Sequence, residues 1–194
     1  MAYKQHFVEW FSGKQIPSYW TLTDDLSGSA GSVSMVDAVD GGVKVTAAAV
    51  AGSQATNISF NDKRQYSKDG SVMIFVAKRD SETGLFDCGF TSSKMIANNW
   101  SYVRNRQTNT YYDLSSSDGS TSQVSSDVPT DASWHTHKIE LNGANQLLSI
   151  DGSLKVTKSS DYPTLDQQPL IRVHNLGNAS GVPVYCRYVE CYNT

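Results

Sequence analysis

The chain has 194 residues, 39% of them hydrophobic, which suits one domain with a sizeable core. A net charge of −3, with 18% charged residues, is too mild to imply electrostatic capture of nucleic acid or of an anionic membrane surface. No apolar run approaches the roughly 18 residues that span a bilayer, and the opening "MAYKQHFVEWFSG" lacks the apolar stretch of a secretory signal.

Read in chain order, helical periodicity is nearly absent. The stretch "VDAVDGGVKVTAAAVAG" (36–52) is rich in alanine, yet its valines at period two and its glycines favour strand and turn. Short strand-like runs follow: "ATNISFN", "GSVMIFVAKR", "GLFDCGFTSS", "NWSYVRNRQ", "TYYDLSSS", "HTHKIELN", "QLLSIDG", "SLKVTKS", "PLIRVHNL" and "PVYCRYVECY". Turn chemistry separates many of them, at Asp40-Gly41-Gly42, Lys68-Asp69-Gly70, Asp118-Gly119, Asn142-Gly143 and Asp151-Gly152. Many short strands at this spacing predict an all-β antiparallel sandwich or barrel. "SVMIFVAK" (71–78) is apolar on both faces, so it is expected in the middle of a sheet. The serine-rich segment 114–133 buries little apolar surface and is expected as an exposed loop or edge.

The three cysteines, Cys88, Cys186 and Cys191, are too few for a disulfide framework, and their odd number leaves at least one unpaired. Cys186 and Cys191, five apart, are expected on opposite faces of one strand and so not bonded to each other.

The segment "WHTHKIELNGANQLLSIDGSL" (134–154) resembles part of the concanavalin A-like jelly rolls, the fold shared by legume lectins, laminin G-like domains and laminarinase-type glycoside hydrolases. In those families a Trp opens a strand, a hairpin follows, and an Asp-Gly turn precedes the next strand. "FVEWFSGKQIPSYWTL" (7–22) is similar to their N-terminal segment, and "CRYVECY" (186–192) to their closing strand. The matches touch both ends and the middle. The resemblance implies one jelly-roll domain over 1–194, a two-sheet antiparallel sandwich, and carbohydrate as ligand or substrate.

Retaining members of the glycosidase branch carry an E-x-D-x-x-E strand, whose two carboxylates stand about 5 Å apart across the scissile bond. The four glutamates here are Glu9, Glu82, Glu140 and Glu190, and none is followed two positions later by Asp. The nearest substitutes are Asp80, Glu82 and Asp87, of which Asp87 lies on the face opposite Phe86, Cys88 and Phe90. Without a partner acid, no catalytic residue is assigned. His135 and His137 share a strand face and His174 lies elsewhere, a set that could hold zinc; because Ile139 and Leu141 continue that face, they are read as structural. Calcium in this superfamily uses an Asp of the closing strand, where the alignment puts Arg187 instead. Asp24, Asp25, Asp37 and Asp40 remain as loop acids, and no metal or cofactor is assigned.

The segment "NNWSYVRNRQTNTYYD" (98–113) carries the best binding pattern. As a strand it places Trp100, Tyr102, Arg104 and Arg106 on one face, where rings can stack on sugars and guanidinium groups can reach hydroxyls. Tyr112 and Arg172, with Tyr111 and Trp134, can extend this surface. In the competing arrangement Trp100 and Tyr102 pack the sandwich while the arginines reach out to water. Trp10 and Trp20 are expected to be structural. The Asn-x-Ser sequons at Asn57, Asn99 and Asn178 are expected by chance in a chain this rich in Asn and Ser.

The sequence thus predicts a non-catalytic, lectin-like domain with a glycan as partner, placed on an extracellular or virus-particle assembly. A glycoside hydrolase or lyase with an atypical catalytic set is one alternative. A purely structural shell or fibre domain is another.

Overall fold

The computed structural model describes residues 5–24, 30–36, 41–49, 55–79, 85–94, 99–106, 110–176 and 182–194. Among these there is no helix, and the strands are β1 (His6–Glu9), β2 (Thr21–Asp24), β3 (Ser32–Met35), β4 (Val43–Thr46), β5 (Ala55–Ser59), β6 (Ser71–Arg79) and β7 (Leu85–Thr91). There follow β8 (Trp100–Arg106), β9 (Tyr111–Ser117), β10 (Thr121–Pro129), β11 (His135–Leu141), β12 (Gln146–Ile150), β13 (Ser153–Lys158), β14 (Gln168–His174) and β15 (Pro183–Asn193).

Two antiparallel sheets face each other. The front sheet runs β10-β9-β8-β7-β14-β5-β2, and the back sheet runs β13-β12-β11-β6-β15-β4-β3 with β1 added on β15. Alternation along each strand fills the space between them. Val43, Val45, Met73, Phe75, Ile139, Leu141 and Val189 enter from the back, and Ile58, Phe86, Phe90, Val103, Leu114, Ile171 and Val173 from the front, all buried. Each such side chain contributes about 1.5–3 kcal/mol by leaving water. As its composition requires, β6 is central, paired with β11 on one side and β15 on the other. At the β12–β13 hairpin, Asp151 and Gly152 both take positive φ (49° and 81°), as a two-residue turn matched to strand twist needs.

Several expectations fail locally, each for a geometric reason. Cys186 and Cys191 both point into the core, because the register of β15 shifts between Cys186 and Tyr188 and Arg187 becomes an extra residue that flips the alternation. All three cysteines are free and buried. The serine-rich segment does form the edge strand β10, but Ser115, Ser116 and Ser117 in β9 are buried. Small hydroxyls fit where a strand is covered on both faces. Trp20 packs in the core, whereas Trp10 is 64% exposed, against its expected structural role.

The two histidines of β11 divide. His137 lies in the core, stacked on Phe75 at 5.0 Å and edge-on to Tyr112 at 4.9 Å, with neither ring nitrogen hydrogen-bonded. Burial pushes its pKa down from 6.5 to about 3, with the nearby His135 adding to the shift. His135 sits at the rim between Asp151 (2.7 Å) and Asp131 (3.1 Å). Burial alone would lower its pKa, but these two carboxylates outweigh burial and raise it.

The two effects oppose each other with pH. The unfolded chain protonates His137 near 6.5 while the folded chain does not, so its contribution to stability is lost as pH falls from about 6.5 towards about 3. His135 contributes fully below its unfolded pKa, and that contribution fades as pH rises through its raised folded value. Denaturation midpoints are therefore expected to fall between pH 7 and pH 4, and His137→Leu is expected to flatten the fall. Urea titrations of both proteins across that range check this; equal slopes would contradict it.

Candidate functional site

The outward face of the front sheet gathers the residues with most chemistry. In β8, Val103 faces the core, so Trp100, Tyr102 and Arg104 face out. Strand register then aligns a single rung across the sheet: Asp113 opposite Arg104, Arg104 opposite Asp87, Asp87 opposite Arg172, and Arg172 opposite Asn57. Charges alternate along it.

Asp87 is the centre of this rung and has no exposed surface. Arg104 grips it with Nε to Oδ1 at 2.9 Å and Nη2 to Oδ2 at 3.4 Å, and Arg172 Nη1 donates to Oδ2 at 3.3 Å. Arg104 Nη2 also donates to the Tyr102 hydroxyl. Burial would lower the Arg104 pKa, but Asp87, then Tyr102 and Asp113, more than offset it, so the guanidinium stays charged. Asp113 in turn accepts a hydrogen bond from Ser125 Oγ.

Above the rung, Trp100 and Tyr102 stack with centroids 4.1 Å apart, and the Arg104 guanidinium lies 5.0 Å from the Tyr102 ring. With Leu170 they form a small apolar cluster separate from the main core. The rings are 4% and 1% exposed, and Arg104 is 6% exposed. They are therefore neither part of the sandwich core nor an open platform, and Arg104 does not reach out to water.

Among the described residues, three polar side chains on the same face are buried without a hydrogen-bond partner. These are Asn57, whose amide nitrogen and oxygen are both unpaired, Ser59, opposite Leu170, and Ser115, opposite Tyr102. A buried polar group left unsatisfied costs about 1–3 kcal/mol.

The structure thus brings together Trp100, Tyr102, Arg104 and Arg172 of the expected set. Tyr112 does not join them, since it faces the core beside His137. In β9 the outward residue is its neighbour Asp113, and a Tyr-Tyr-Asp sequence leaves that parity ambiguous. Arg106 ends β8, and its side chain lies outside the described part, as do Asp25, Asp37, Asp40, Asp80, Glu82 and Asn178. Tyr111 is 41% exposed at the start of β9, and Trp134 lies on the back sheet against Lys78. Asn57, noticed only as a sequon, is missing from the expected site, although its register with Arg172 places it there.

Both oxygens of Asp87 accept from guanidinium donors, Oδ1 from Arg104 and Oδ2 from Arg104 and Arg172. Asp113, on the same rung, is two strands away, about 10 Å between backbones, with Arg104 between them. A retaining pair needs about 5 Å. No group of three His, Cys, Asp or Glu side chains able to hold a metal occurs among the described residues. His174 Nδ1 accepts the Leu176 N–H, and Arg187 lies against the Trp134 ring at 4.8 Å. Asp24 is taken by Thr56 (2.6 Å) and the Gly31 N–H (3.2 Å). No helix among the described residues is long and apolar enough to cross a membrane.

No protein-family model matches this sequence, and no curated protein matches it. Solved structures do. The chain is similar to a β-glucanase of Bacillus licheniformis, with 13% identity, 97% of this chain and 98% of that chain covered, and a TM-score of 0.65. It is similar to a β-1,3-glucanase of Mycobacterium marinum, with 14% identity, 95% and 97% covered, and a TM-score of 0.68. A LamA protein from Z. galactanivorans, solved in complex with laminaritriose and laminaritetraose, shares 13% identity over 96% and 98% of the two chains, with a TM-score of 0.65. At such identities the likeness defines the fold, which is the concanavalin A-like jelly roll found in these glucanases.

Removing one charge should separate the ion-paired rung from its unpaired neighbour. Asp87→Asn takes the central counter-charge from the buried Arg104 and the half-buried Arg172, leaving only Asp113 beside Arg104, and is expected to cost about 3–5 kcal/mol. Asn57→Ala removes a side chain with no hydrogen bond to lose and is expected to change stability by about 1 kcal/mol or less. Chemical denaturation of both variants measures the contrast; equal losses would contradict this account of the rung.

Proposed function

We propose that the chain, as one domain over 1–194, binds carbohydrate without cleaving it, through the outward face of the front sheet. The carrying observation is the Asn57 amide, buried and unpaired in both its donor and its acceptor, beside Arg172. A sugar's neighbouring hydroxyls donate and accept at once, which is what an amide and a guanidinium side by side can use. Thr23 and Arg172, both half-buried, mark where the rung approaches solvent. In this reading Trp100 and Tyr102 are a support that holds Arg104 and dries the ion pair, and the sugar meets Arg172, Asn57 and Thr23.

The occupied oxygens of Asp87, and the distance to Asp113, favour binding over hydrolysis. An atypical hydrolase is the second reading, favoured by the fold likeness to glucanases. A glycan-facing role fits an extracellular or virus-particle setting, and nucleic acid is no partner in it.

A glycan array followed by calorimetric titration tests the proposal. Affinities for oligosaccharides are expected to be weak, with dissociation constants on the order of 0.1–1 mM, because a small opening buries little area. Asn57→Ala and Thr23→Ala are each expected to lower affinity by about tenfold or more, since a lost hydrogen bond of about 1.4 kcal/mol is tenfold, with the melting temperature nearly unchanged. Affinity unmoved by both variants would overturn the site. Absence of affinity for every glycan would favour a structural shell. Reducing ends released from laminarin, lichenan, agar or carrageenan, and lost with Asp87→Asn, would favour the hydrolase.

A further inference from the structure

The outer face of the back sheet carries charge in a different way. At one end its ions are paired, Lys138 with Glu140 at 2.7 Å and Glu190 with His6 at 2.9 Å. At the other end rings and cations alternate. Lys78 lies 5.0 Å from the Trp134 ring and 5.5 Å from the Tyr185 ring, and Lys44 lies 5.6 Å from the other side of this row, at Tyr185. Strand register fixes the order, with Tyr185 opposite both Lys78 and Lys44. The two ammonium groups therefore stand on strands separated by one neighbour, about 10 Å apart at the backbone. Among the described residues no carboxylate is paired with Lys14, Lys44 or Lys78.

The strip borders a groove of about 1190 Å³ lined by Trp10, Lys14, Ile74, Val76, Arg187 and Tyr188. Trp10, 64% exposed, lines the groove and leans on Tyr188 with ring centroids 4.4 Å apart and planes tilted by 54°. An ammonium group above a ring gains about 0.5–1 kcal/mol at an exposed site, and it keeps its charge. The rings thus hold the lysines in place without neutralising them, which a carboxylate would do. An exposed indole in the groove, with Lys44 and Lys78 held on the adjoining strip and paired with no described carboxylate, matches a ligand with both an apolar face and anionic groups.

We propose that this face is a second binding site, for an acidic polysaccharide that carries sulfate or carboxylate groups. The sugar rings stack on Trp10, and the anionic substituents meet Lys78 and Lys44, whose spacing is about one disaccharide. The site is on the opposite sheet from the front-face rung, and either can exist without the other.

Affinity electrophoresis and titration against dextran sulfate, polygalacturonate and neutral dextran test the proposal, and the first two separate a sulfate from a carboxylate preference. The intact protein is expected to bind at least one of the two polyanions and not dextran, with affinity falling as salt rises. The Lys44→Gln/Lys78→Gln double variant is expected to lose about tenfold or more, and Trp10→Ala, which removes a ring and no charge, is expected to weaken binding as well. These residues lie outside the core, so melting temperatures should stay within a few degrees of the parent. No binding to either polyanion at low salt overturns the site, as does full affinity in the double variant. Affinity unchanged by Trp10→Ala, or equal affinity for single-stranded DNA, overturns a carbohydrate occupant. A front-face affinity for neutral glycan is expected to survive all these variants, so the two readings fail separately.

Discussion

A carboxylate with no exposed surface sits in the middle of the front sheet, and two guanidinium groups make that burial tolerable. Removing an ion from water is costly unless partners and hydrogen bonds replace the lost hydration. This requirement governs the strands around Asp87. β8 and β14 must each present an arginine at the matching register, and β9 must present Asp113 so that Arg104 is not left with excess charge. The stacked Trp100 and Tyr102 then exclude water, which strengthens each pair in the rung. The same strands send Phe86, Cys88, Val103, Leu114 and Ile171 to the opposite face, so the ionic rung and the hydrophobic core fix one another's register.

Much of this architecture was legible because it rests on alternation. The apolar double face of 71–78 placed β6 at the centre, and the turn at Asp151-Gly152 set its hairpin. Period two also grouped Trp100, Tyr102 and Arg104 on one face. What could not be read was what lies across a strand pair. Nothing local to "LFDCGFT" says that Asp87 faces two arginines drawn from residues 17 and 85 positions away. Nor does alternation reveal a bulge: the extra residue Arg187 reversed the predicted facing of Cys191 relative to Cys186. Serines at 115–117 looked solvated because their composition is polar, yet β9 is paired on both sides and covered, so they are buried. Tryptophans misled in the opposite direction, since Trp10 packs on Tyr188 outside the core.

The two outer faces solve the problem of surface charge in opposite ways. On the front sheet each charge on the rung has an opposite charge as its neighbour, and the rings lie over the paired groups. On the back sheet Lys78 and Lys44 lie against the Trp134 and Tyr185 rings in place of a described carboxylate. A ring quadrupole is a weak partner compared with a carboxylate, so the first arrangement is closed to added ions and the second is receptive to them. A sandwich can carry both because its core needs only the inward half of each strand, and the outward halves are left to vary independently.

That independence bears on the likeness to glucanases. At 12–14% identity the likeness is one of fold, and the outward residues of the front sheet are where chemistry can diverge without disturbing that fold. Glycoside hydrolysis needs one carboxyl group free to give a proton and a second free to attack or to activate water. Here Asp87 is held by Arg104 and Arg172, and Arg104 stands between it and Asp113, so each acid on the rung has a guanidinium neighbour. Among the described residues, that face also carries Asn57, Ser59 and Ser115, buried and without a hydrogen bond. An amide and two hydroxyls both donate and accept hydrogen bonds, and they stand on the same outward face as the ion-paired rung.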